Sequence, residues 1–208
     1  MNDIFHEEYR IRYDELFNLI TRAYINIYVL KETESFSKSM QERKDVLLFK
    51  STKNIIEHMS ELLKTDLGLT IWKIYSDENN KANTIKHLNT YIRKYLQDQD
   101  GTTTIKSLKI KPPEEIRDIE KRLCILRRNF LAHNDKEKQD VSVEVTEMER
   151  FLDFLRETLN KLCFSELDER VEKMTKQKLL SIQQSSSFGW GNMIRRSVLQ
   201  APQGEDPT

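Results

Sequence analysis

The block Leu126-Arg127-Arg128-Asn129-Phe130-Leu131-Ala132-His133-Asn134-Asp135 gathers the residue types that perform acid–base and phosphate chemistry. A histidine titrates near neutral pH. His133 is therefore suited to take a proton from a ribose 2′-hydroxyl or to return one to a leaving 5′-oxygen. A guanidinium such as Arg128 holds a phosphate through two N–H groups and stabilises charge developing on it. Asn129 stands four residues before His133, so on a helix the two share a face. Asp135 is placed either to fix the imidazole tautomer or simply to end the helix. The chemistry this set suits is metal-independent RNA cleavage, with Arg128 and His133 catalytic and Asn129 and Asp135 supporting. Geometry raises one objection: residues five apart on an ideal helix diverge by about 140° and about 7.5 Å. A symmetric dimer packing two such helices together would bring both arginines and both histidines into one cleft. The plainer alternative makes Arg127 and Arg128 solvated cations at a helix C-terminus, with His133 favoured there by the helix dipole.

The elements that would carry this block are helices. Only 5 Gly and 4 Pro punctuate the 208 residues, too few for the turns of an all-β chain. Tyr9, Tyr13, Leu16, Ile20, Ala23, Tyr24 and Ile27 recur at the helical period and predict a first helix over Glu7–Lys31. The charged, Ser-rich stretch from Glu32 to Met40 is expected to be a loop. A second helix is expected over Gln41–Leu63, continuing past Gly68 to Trp72 and Ile74 as a kinked or broken extension. A third is expected over Asn83–Leu96, and a linker from Gln97 to Pro113. Pro112-Pro113 followed by Glu114-Glu115 predicts the start of the fourth helix, which runs to about His133. Its core stripe is Ile116, Ile119, Leu123, Leu126 and Phe130. Cys124, Ile125, Leu131 and Ala132 fall off that stripe and suggest a second covered side. Thr146 and Glu149 suggest a capping box for the fifth helix, with Met148, Phe151, Leu152, Leu155, Leu159 and Leu162 facing inward. The expected architecture is all-α: an up-and-down bundle of four to five helices over 1–165, an extra C-terminal helix over 166–183, and a flexible tail over 184–208. The Ser and Gly residues around Trp190 mark the tail.

The block resembles the hallmark of the HEPN superfamily, in which an arginine followed by a polar residue precedes a histidine after four to six residues. The Ala-His-x-Asp ending is similar to the abortive-infection branch. The resemblance covers roughly residues 5–165, with the block as its most specific part. It implies a helical bundle that dimerises through the motif region. In many members it also implies a metal-independent endoribonuclease of toxin–antitoxin or phage-defence systems. Arg128 then matches the motif arginine, Asn129 the polar position and His133 the motif histidine. Some family toxins carry a tyrosine two positions after the histidine, which a cognate antitoxin modifies. Asp135 stands there in this chain, so that form of control is not supported. Other family members serve as RNA-, nucleotide- or protein-binding modules without cleavage.

The remaining residues narrow the field. Lys+Arg and Asp+Glu balance at 34 each, so no global positive field draws the chain to nucleic acid, and RNA contact has to be local. Lys121, Arg122 and Arg127, with Lys106, Lys109 and Lys111 nearby, form the best candidate RNA-binding patch; solvated helix surface is the competing reading. His6, His58 and His87 lack metal-ligand spacing, and no metal or cofactor is expected. Cys124 and Cys163 are expected to be small buried residues. The N-terminus has no signal-peptide pattern, and no apolar run is long enough to span a membrane. The expected location is the cytoplasm, and the expected partners are RNA, a second copy of the chain and a cognate antitoxin.

Overall fold

A computed structural model describes the backbone over 2–42, 46–76, 83–100, 110–131, 141–164 and 168–199, and side chains over 4–39, 53–75, 83–94, 110–129, 141–164 and 168–193. The described residues form six helices: α1 (Asn2–Glu42), α2 (Val46–Ser76), α3 (Ile85–Asp100), α4 (Glu114–Leu131), α5 (Val145–Lys161) and α6 (Lys176–Leu199). The chain is an all-α bundle, as the helical periodicity requires.

Every third or fourth residue of α1 from Tyr9 to Leu30 is buried, and this apolar line is the axis of the core. The helix does not stop at Lys31. It continues to Glu42 through the stretch expected to be a loop. That stretch lacks Gly and Pro, and tertiary contacts hold it. Thr33 is buried and donates to Val29 O at 2.7 Å, while Lys64 of α2 lies 3.8 Å from Glu34. α2 runs back antiparallel to α1, with Arg22 and Asn26 both donating to Asp66. It is unbroken through Gly68, where a kink was expected. The glycine serves a close approach instead. A Cβ there would lie 3.1 Å from Leu126 Cδ2 and 3.7 Å from Leu123 Cδ2, so α2 and α4 meet without an intervening side chain.

α3 starts at Ile85, with the Thr84 hydroxyl accepting from the His87 backbone N–H at 3.1 Å. It runs in the same sense as α2, as its ends show. Asn83 donates to Arg12 O, and Tyr91 stacks on Phe5, ring centroids 4.8 Å apart. The up-and-down alternation is therefore interrupted once. α4 begins directly after Pro112-Pro113, as expected. Its cap-proximal acids, Glu114 and Glu115, complement the helix dipole. α5 lies at the centre, packed against α1, α2, α4 and α3. Its whole expected stripe from Met148 to Leu162 is buried. Its N-cap is Glu144, two residues before Thr146, and the Glu147 carboxylate reaches back to the Glu144 N–H at 3.0 Å.

The C-terminal expectations need correction. Residues 168–175 are not helical, and α6 covers 176–199, most of it in the stretch expected to be a flexible tail. The segment before α6 is shaped by side-chain ties instead of helix. The buried Asp168 carboxylate accepts from both the backbone and the guanidinium of Arg170. Asn160 bonds Met174 in both directions, at 3.2 and 2.8 Å. Val171, Met174 and Leu179 join the same core cluster as α1 and α5, so the core crosses the expected boundary at 165. α6 then lies along α1 in the same sense, with Lys178 over the Phe17 ring and Trp190 bonded to Thr33. Ser and Gly suggested disorder; the docked line Leu179, Ile182, Ser186 and Trp190, at spacings of three and four, explains the helix.

Candidate functional site

α4 presents its sides to different neighbours, and the register decides what each basic residue does. Ile116, Ile119 and Leu123 are buried against the core, with Leu126 half-buried at the end of the same stripe. Arg128 falls on the opposite side and is exposed. Its neighbour Asn129 is half-buried. Lys121, about two turns earlier on the Arg128 side, is also exposed. His133, Asn134 and Asp135 lie outside the described residues.

Arg122 and Arg127, also of the expected RNA patch, have partners within the chain. Arg122 is held by four hydrogen bonds to three residues. Its Nε donates to Asp118 at 2.9 Å, its two terminal nitrogens donate to the two Glu147 oxygens at 2.8 and 2.6 Å, and Nη1 also reaches Ser142 O at 3.1 Å. The paired geometry is the strong bidentate form. Glu147 strengthens the hold on the Arg122 proton, so that side chain's pKa is raised. In return the Arg122 guanidinium, with the Glu144 backbone N–H, holds the Glu147 carboxyl down to about 2. Arg122 thus joins α4 to the start of α5. Arg127 leans toward α2, with its guanidinium carbon 6.0 Å from the Trp72 ring centroid.

A second cluster on the α2 side of α4 was not foreseen. Lys86 of α3 sits 4.0 Å above the Tyr75 ring. Burial, and then a hydrogen bond with Glu120, push the Tyr75 hydroxyl pKa up; burial lowers that of Lys86 while Glu120 opposes the shift. Three elements meet in this cluster and no two of its residues share a local spacing. The Arg122–Glu147 clamp was equally invisible, because the partners are 25 residues apart. A helix-register signal did exist for both: Arg122 and Glu120 flank the core stripe, where a charge has to find a partner.

Cys124 and Ile125 are half-buried within a single chain. The second apolar side of α4 is therefore already partly covered by the bundle. A cleft of about 500 Å³ opens elsewhere, between the segment after α5 and the start of α6, lined by Cys163, Phe164, Val171 and Lys178 among others. His6 and His87 are half-buried and His58 is exposed, each on a different helix. Among the described residues, no group of three or more His, Cys, Asp or Glu could hold a metal ion. No helix among them is long and apolar enough to cross a membrane. No family model matches the chain, and neither a curated protein nor a solved structure matches it.

Proposed function

We propose that the chain is a HEPN-type, metal-independent endoribonuclease of the toxin or phage-defence kind. It acts in the cytoplasm as a homodimer, with Arg128 and His133 catalytic, Asn129 and Asp135 supporting, and a cognate antitoxin or another trigger restraining it. The observation that carries this reading is the exposure of Arg128 beside Asn129 in the last turn of α4, while Arg122 and Arg127 are engaged inside the chain. A guanidinium left at the surface of an otherwise anchored helix is available to a phosphate. Lys121 and Lys111 of the expected patch are exposed as well. His133 would supply the proton transfers and Arg128 the charge stabilisation.

The test is cleavage of single-stranded RNA by purified protein in EDTA. The expected products carry 2′,3′-cyclic phosphate ends. His133→Ala and Arg128→Ala should each lower the rate about 100-fold or more with the melting temperature unchanged. Cleavage by His133→Ala at the wild-type rate overturns the assignment.

The second reading is a non-catalytic module of the same fold that binds RNA, nucleotide or protein. The exposure of Arg128 and Lys121 on one side of α4 suits this reading as well, since a basic face binds a phosphate without cleaving it. Wild-type protein that binds RNA with a salt-dependent affinity and leaves it intact would establish this reading over the first.

A further inference from the structure

α6 is built in two unequal halves. The first is anchored in the core. Leu179 is 9% exposed, Lys178 bonds Glu172 and covers Phe17, and Met174 just before the helix is tied to Asn160. Beyond Leu179 no described side chain of the helix is buried. Phe188 is 75% exposed, and Met193 is 49% exposed. Among the described residues, the helix packs chiefly along α1.

The sequence of this second half is poor helix former. Gln183-Gln184-Ser185-Ser186-Ser187-Phe188-Gly189-Trp190-Gly191-Asn192 holds three serines and two glycines. Each glycine in a helix interior weakens it relative to alanine. Neither is there for space: a Cβ at Gly189 or Gly191 would meet nothing within 4 Å. An isolated segment of this kind does not hold a helix in water. Trp190 ties this half to α1, its Nε1 donating to Thr33 Oγ1 at 2.8 Å. Thr33 is itself 2% exposed, and its own hydroxyl proton goes to Val29 O. The acceptor is thus fixed by α1, and the indole seats on a rigid target.

We propose that the second half of α6, from about Gln183 onward, is a latch that opens as a unit while the rest of the bundle stays folded, with Trp190 as its catch. Helix formation and docking in this half are one event, because each depends on the other. Opening uncovers Thr33 and the adjoining face of α1. It also releases Phe188, Trp190 and Met193 as an extended apolar peptide.

Hydrogen exchange read by mass spectrometry on the full chain tests this. Amides of 184–193 should exchange about 100-fold faster than those of 151–159 in α5. Trp190→Ala should speed exchange in 184–193 about tenfold further, leaving α5 exchange and the melting temperature unchanged. Gly189→Ala with Gly191→Ala should slow it, about fivefold for each glycine. Equal protection of 184–193 and 151–159 in the wild type would overturn the latch. So would indifference of 184–193 to Trp190→Ala.

Discussion

Arg122 and Arg128 stand six residues apart on one helix and have opposite fates. Arg122 lies beside the core stripe and finds Glu147, Asp118 and the Ser142 carbonyl, whereas Arg128 faces outward. The sequence pattern could identify the basic residues of α4 but could not divide them, since the partner of Arg122 belongs to another helix. The division has measurable consequences. Arg122→Ala should cost about 1–2 kcal/mol in urea unfolding, because it leaves the half-buried Glu147 carboxylate with only the Glu144 backbone N–H as a donor. It should leave RNA affinity within about twofold, whereas Lys121→Ala should weaken binding and reduce its salt dependence. The same clamp sets an acid limit. Glu147 and Asp168 are each held down to about 2, the first by Arg122 and the second by Arg170. Their folded pKa values lie below the unfolded ones, so their stabilisation is full above about pH 4.5. It is lost as the pH falls toward about 2. Urea midpoints measured from pH 5 to pH 2.5 should fall across that window, and Glu147→Gln should flatten the fall.

At the scale of elements, periodicity located the buried faces well and the ends poorly. The stripes of α1, α4 and α5 were legible because each repeats at three and four residues over several turns. The run from Glu32 to Met40 and the run after Gln183 were misread for one reason: their helicity comes from neighbours. Thr33, buried against both α1's own turn and Trp190, supports the two of them together. Gly68 was visible, but its purpose was not. The residue marks where α2 and α4 touch, and through that contact α2 sets the position of the α4 turn just before Arg127 and Arg128. Gly68→Leu should destabilise the fold by about 1–3 kcal/mol through overpacking against Leu126 and Leu123. Gly68→Ala should stay within about 1 kcal/mol of wild type, since better helix propensity offsets the 3.1 Å approach to a terminal methyl. Chemical unfolding of the pair measures both.

The whole molecule is closed by tyrosines. Tyr9 donates to Leu162 O at 2.8 Å and accepts from the Phe164 N–H at 2.9 Å, and Tyr13 donates to Glu172 O at 3.0 Å. These bonds fasten the first helix to the segment that leads into the last one. A boundary at 165 followed the extent of the resemblance, yet Val171, Met174 and Leu179 complete the core. A chain ending at residue 165 should therefore melt about 10 °C or more below the full chain, as a thermal scan followed by circular dichroism would show. The 126–135 block stood out in the sequence as a resemblance; the surroundings of Leu126, Arg127, Arg128 and Asn129 became visible only with the neighbouring helices in place. The tyrosine closure also bears on how the protein is made. Tyr9 and Tyr13 leave the ribosome early, but the carbonyls they need are synthesised more than 150 residues later. At about 5–20 residues per second, α1 waits roughly 8–30 s with its most apolar face unclosed. The nascent chain, more than the finished fold, is the form in which this sequence most needs protection.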